Sequence, residues 1–129
     1  MTGPAHVIVH DLDDTLYLER DFVRSGFAAV SARLTMEGLA DGFGDAAWAL
    51  FEDGRRVDIF NAALAGLGIP VDEGLIDRLV TLYREHEPQI ALQPDAARFI
   101  SKPPAGCALA ILTDGHLTTQ QNKVRALGL

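Results

Sequence analysis

The chain has 129 residues, 48% of them hydrophobic and 22% charged, which suits one globular domain burying roughly two-thirds of the surface its unfolded chain exposes. The formal net charge of -7 argues against binding to a nucleic-acid backbone or an anionic membrane surface by bulk attraction. A small phosphorylated ligand stays open, because a local cation can invert the field at one site.

The amino-terminal MTGPAHVIV lacks the basic stretch and apolar length of a signal peptide. No run approaches the roughly 20 apolar residues of a membrane span, so a soluble, cytoplasmic protein is expected. HVIVH is short, apolar and followed at once by aspartates, the pattern of a buried parallel strand ending in a loop. From Arg20 the period changes. Phe22, Val23, Gly26, Phe27, Val30 and Leu34 fall on one helical face, which EGLADGFGD interrupts. Asp45 is the expected cap of a second helix carrying Trp48 and Phe51, with Gly54 as a break before Ile59, Phe60 and Leu64 continue the stripe. Gly68 and Pro70 stop it. Asp72 caps a third helix with Leu75, Ile76, Leu79, Val80 and Tyr83 inward and Pro88 past its end. PQIALQP is an extended return, Asp95 the expected cap of a short helix through Ile100, and KPPAG a loop. CALAILTDG is a second buried strand running into a polar loop, with its lone cysteine, Cys107, a small buried hydrophobe that excludes an internal disulfide. Thr118 and Gln121 have capping-box spacing for a last helix.

The organisation is therefore a strand, a long helical insertion, then helix, strand and helix. Both strands end in polar loops, and in a parallel α/β sheet such ends lie side by side where ligands sit. Asp11, Asp13 and Asp14 crowd the first of them. A calcium loop starting at Asp11 needs glycine at its sixth position and glutamate at its twelfth, but Leu16 and Phe22 stand there. A phosphate-receiver domain needs a phosphoacceptor aspartate at the end of a later strand, where this chain has Thr113. The spacing Asp11-x-Asp13-x-Thr15 suits a third chemistry. One carboxylate attacks phosphorus and becomes an aspartyl-phosphate. Another, two positions on, serves as general acid and base, with a proton affinity raised by its neighbour. Magnesium held by Asp11 and Asp13 would offset their repulsion.

DLDDT behind an apolar strand, followed by ILTDG at the end of a later one, resembles the haloacid dehalogenase (HAD)-like superfamily of hydrolases, and the insertion resembles its α-helical cap. The resemblance covers nearly the whole chain. It implies an α/β fold, a Rossmann-like parallel-sheet core at 1–17 and 93–129 with a helical bundle cap at 18–92. It also implies magnesium-dependent hydrolysis of a small phosphorylated metabolite. By position, Asp11 resembles the nucleophile, Asp13 the acid/base, and Thr15 the residue shaping the turn. Thr113 and the backbone of Asp114 resemble the phosphate-binding pair. Asp13 also separates the chain from dehalogenases proper, which lack an aspartate there, and from transport ATPases, which place threonine there.

Other residues carry plainer expectations. Asp14 is a turn or helix cap, His10 a packed, hydrogen-bonded histidine, and Glu85–Glu87 a solvated helix end. Tyr17, Arg20, Arg24 and His116 are possible substrate contacts near the cap entrance and the second loop. The family also has a later lysine and a later acidic pair. Lys102 lies at the wrong end of its strand, and Lys123 falls where the family has an ordinary surface residue. The resemblance therefore implies an amino-terminal portion with an incomplete core and an inactive site, the alternative being a non-catalytic remnant.

Overall fold

The computed structural model describes residues 3–129. Two parallel strands, β1 (His6–His10) and β2 (Cys107–Ile111), pair in register from His6 with Cys107 to His10 with Ile111. Between them run α1 (Glu19–Met36), α2 (Phe43–Glu52), α3 (Ile59–Gly66), α4 (Glu73–Glu85) and α5 (Pro94–Ser101), and α6 (Leu117–Ala126) follows β2. The parallel pairing puts the carboxyl ends of both strands, and so both polar loops, at one edge.

The apolar stripes read from the sequence become two cores. Phe27, Val30 and Leu34 of α1 meet Phe43 and Ala47 of α2, Phe60, Ala63 and Leu64 of α3 and Leu79 of α4. Full burial of each large apolar side chain is worth about 1.5–3 kcal/mol. The second core lies beneath the first loop, where Leu12, Leu16 and Tyr17 pack with Phe22 and Leu127. Tyr83 joins them, touching both clusters and meeting the rings of Phe22, Phe27 and Phe60. Phe22, expected in the bundle core, thus belongs to the loop's core, because it faces Lys123 and His86. Trp48, also expected inside, is only partly buried. It stacks on Phe51 beneath the guanidinium groups of Arg20 and Arg24.

Several caps differ from expectation. Asp72 caps α4, its Oδ1 accepting from the Leu75 N–H. Asp45 does not cap α2, which starts two residues earlier because Gly42 adopts a positive φ of 82° at the N-cap. The apolar stripe across 43–66 is two helices separated by the turn around Gly54. Pro94 opens α5, leaving Asp95 inside the first turn. His116 rather than Thr118 occupies the N-cap of α6, its carbonyl accepting the Gln120 N–H.

The strands are less covered than expected, with Val7 59% and Val9 56% exposed, and Cys107 is only partly buried. His10 packs edge-on against Phe99, but its Nε2 is buried without the hydrogen bond expected of it. His86 is no solvated helix end. Its Nε2 pairs with Ser25 Oγ at 2.9 Å and its Nδ1 with the Tyr83 carbonyl at 2.6 Å, while burial lowers its pKa. Among the described residues no helix is long and apolar enough to cross a membrane.

Candidate active site

The first loop alternates by function. Leu12, Leu16 and Tyr17 point down into the second core, and Asp11, Asp14 and Thr15 stay at the surface. The Thr15 N–H donates to the Leu12 carbonyl at 3.2 Å within the turn. Asp14 sits in the left-handed region at φ 56° and accepts the Glu19 N–H at 2.8 Å, satisfying a free donor at the start of α1. Its reading as a cap holds.

Asp11 and Asp13 meet different surroundings. Asp11 is exposed and, among the described residues, accepts only from the N–H of Leu12, at 2.9 Å. Asp13 is half-buried inside a set of side-chain donors. Lys123 Nζ reaches Oδ1 at 2.7 Å, the Tyr17 hydroxyl donates to the same oxygen, and Gln120 Nε2 donates to Oδ2 at 3.0 Å. Burial opposes the Asp13 carboxylate, yet the hydrogen bonds from Lys123, Tyr17 and Gln120, with the Lys123 charge, outweigh it and hold its pKa below the ordinary value. Crowding does not raise the proton affinity of Asp13, contrary to the sequence expectation, because a cation lies against it. Burial and the bond to Asp13 push the Tyr17 phenol strongly up, so it remains a donor. Glu19 is pushed up by burial and by the Asp13 charge.

Gln120 also joins the two motifs. Its Nε2 donates to Thr113 Oγ1 at 2.8 Å as well as to Asp13. Thr113 accepts there, so its own hydroxyl hydrogen remains available to a ligand. Asp114 is exposed, its Oδ1 accepting the Gly115 N–H. Gly115 has φ 134° and passes close to Gln120, where a Cβ would lie 3.2 Å from the amide carbon.

Lys123 corrects the reading of an ordinary surface residue. It is 4% exposed, and its ammonium lies 4.4 Å from the Phe22 ring centre. Tyr17 is fully buried against Asp13, so it braces the carboxylate rather than facing a leaving group. Arg20 pairs with Glu52 and lines a cavity of about 750 Å³ beside Asp14, Glu19 and Tyr83. Arg24 lines a separate groove with Ser31 and Trp48. His116 is exposed at the start of α6 and, among the described residues, meets the Asp13 network only through its backbone carbonyl, which accepts the Gln120 N–H. Sequence reasoning missed Gln120 entirely. Its available signal was spacing, since 120, 123 and 127 share one helical face directly after the second motif.

Magnesium prefers a nearly ideal octahedron of oxygen ligands. Both Asp13 oxygens are engaged by protein donors, which leaves Asp11 as the only carboxylate of the expected pair open to a metal. No group of three or more His, Cys, Asp or Glu residues that could hold a metal occurs among the described residues. These residues therefore do not fit the expected site built on Asp11 and Asp13.

The fold is that of the HAD-like hydrolases. YfnB of Bacillus subtilis, described as a HAD-hydrolase bound to magnesium, aligns with 99% of this chain at a TM-score of 0.54 and 22% identity. A haloacid dehalogenase-like protein of Agrobacterium tumefaciens aligns with 98% at 0.51 and 18% identity. The L-2-haloacid dehalogenase of Xanthobacter autotrophicus aligns with 96% at 0.46 and 22% identity. The chain spans 61%, 55% and 52% of these proteins respectively. No protein-family model and no curated protein sequence gives a significant match.

Proposed function

We propose that this site transfers a phosphoryl group from a small phosphomonoester to Asp11 and then to water. The observation that carries the proposal is the division between the two carboxylates. One is exposed at the strand end with a single backbone hydrogen bond, and the other is enclosed by side-chain donors. Carboxylates in contrasting surroundings can take separate nucleophilic and acid/base roles.

In the first half-reaction an Asp11 oxygen bonds to phosphorus, the ester P–O bond breaks, and its electron pair leaves with the alcohol oxygen, which takes a proton from solvent water. In the second, water attacks phosphorus, the bond to Asp11 breaks, and the carboxylate is restored as inorganic phosphate leaves. Asp13, held ionised by its donors, accepts the proton from that water and passes it to solvent. The Thr113 hydroxyl, turned into a donor by Gln120, is suited to a phosphoryl oxygen. None of these steps is routed through magnesium, because the two carboxylate side chains do not fit it.

A second reading is favoured by the engagement of both Asp13 oxygens, which is also what a catalytically silent member of the fold would show. One experiment separates them. The purified chain is assayed against sugar phosphates, nucleotides and an aryl phosphate, and the Asp11-containing peptide is examined by mass spectrometry for a phosphoryl adduct. The resemblance implied an inactive site for want of a lysine, but Lys123 lies 2.7 Å from Asp13, so turnover and adduct that both vanish in Asp11→Asn are expected. Turnover unchanged in Asp11→Asn removes the nucleophile, and absence of turnover and adduct in the wild type favours the silent reading for these 129 residues.

A further inference from the structure

We infer that Lys123 is a built-in counter-ion that takes the place of a metal ion at Asp13 and closes that carboxylate to divalent cations. Lysine is almost never fully buried without a partner, and Lys123 is 4% exposed. Its stem crosses the inner face of α6 and delivers Nζ to Asp13 Oδ1 at 2.7 Å. The face of Phe22 lies 4.4 Å from the ammonium and that of Tyr17 5.9 Å away. Aromatic faces favour a cation while excluding water. An ion pair in such surroundings is screened less than one in solvent.

A divalent ion approaching the Asp13 carboxylate would meet the Lys123 charge at contact range. It would also have to displace Gln120, whose side-chain nitrogen is shared between Asp13 and Thr113. Lys123 and Gln120 stand one helical turn apart on α6, so a single helix face holds Asp13 in place and ties it to the second loop. This arrangement stands whatever reaction the site performs. Failure of the phosphoryl-transfer reading would leave it intact.

The test uses manganese as the probe, with binding to the purified chain followed by electron paramagnetic resonance. Asp13→Asn should change manganese affinity by less than about twofold, because a carboxylate already occupied by an ammonium contributes little to a second cation. Lys123→Met keeps an apolar stem against Phe22 and removes the charge. It should raise manganese affinity roughly tenfold or more, and the gain should disappear in the Lys123→Met, Asp13→Asn double variant. Loss of affinity beyond about twofold in Asp13→Asn alone would show that Asp13 is a metal ligand beside its lysine, overturning the inference. Affinity in folded Lys123→Met no higher than wild type overturns it equally. Should that variant not fold, the Asp13→Asn comparison decides the matter.

Discussion

The ammonium of Lys123 and the carboxylate of Asp13 meet at 2.7 Å across 110 positions of sequence. The bond joins the last helix to the first loop. Against burial, and together with the bonds from Tyr17 and Gln120, it holds the Asp13 pKa down where crowding among carboxylates alone would raise one.

That depression has a pH consequence with a definite sign. A carboxyl whose folded pKa lies below its unfolded value adds stability above the unfolded value, here 3.8, and loses it as pH falls through the folded value. His86, lowered by burial from 6.5, destabilises the fold in the same direction over a higher window. Urea unfolding of wild type and Asp13→Asn across both windows should therefore show curves that converge only below pH 3.8. Parallel curves throughout would mean that Asp13 is not held ionised by the fold.

Tyr17→Phe keeps the buried ring and removes the hydroxyl that donates to Asp13. A hydrogen bond to a charged group contributes about 1.5–3 kcal/mol, and Lys123 and Gln120 remain to share the load. A loss near the lower end of that range is expected in chemical denaturation. No loss would show that the hydroxyl does not brace the carboxylate.

Within the bundle, Gly26 lies against Tyr83, and a Cβ there would fall 2.3 Å from Tyr83 Cδ2. Alanine gains about 1 kcal/mol of helix propensity over glycine, whereas overpacking a core costs about 1–3 kcal/mol. Tyr83 is held among Phe22, Phe27 and Phe60, so the steric cost should win and Gly26→Ala should destabilise. Gly66→Ala in α3 has nothing within 4 Å of the new methyl and should stabilise by about 0.5 kcal/mol. Equal effects in the two variants would contradict this packing.

Local pattern was enough for α1 and α4. Their apolar residues recur at the helical period, and Asp72 caps α4 as expected. It failed at α2 and α6, where Gly42 and His116 occupy the N-caps in place of Asp45 and Thr118. Capping depends on where the chain enters the helix as well as on which side chains could accept. In the first motif, the sequence separated Asp14, a cap, from Asp11 and Asp13, but the contrast between the latter two was invisible. Both are aspartates on one short loop, and their difference is made by Tyr17 nearby together with Gln120 and Lys123, both more than a hundred positions away.

The sequence by itself determined the two strands, the helical stretches and the polar loops behind the strands, because each is written in the spacing of near neighbours. Tertiary structure alone decided what surrounds each carboxylate. Lys123 and Gln120 carry the local signature of a solvated helix, and only the docking of α6 beside the first loop turns them inward. Removing those polar groups from water requires partners, and Asp13, Tyr17 and Thr113 are the groups that docking brings within reach.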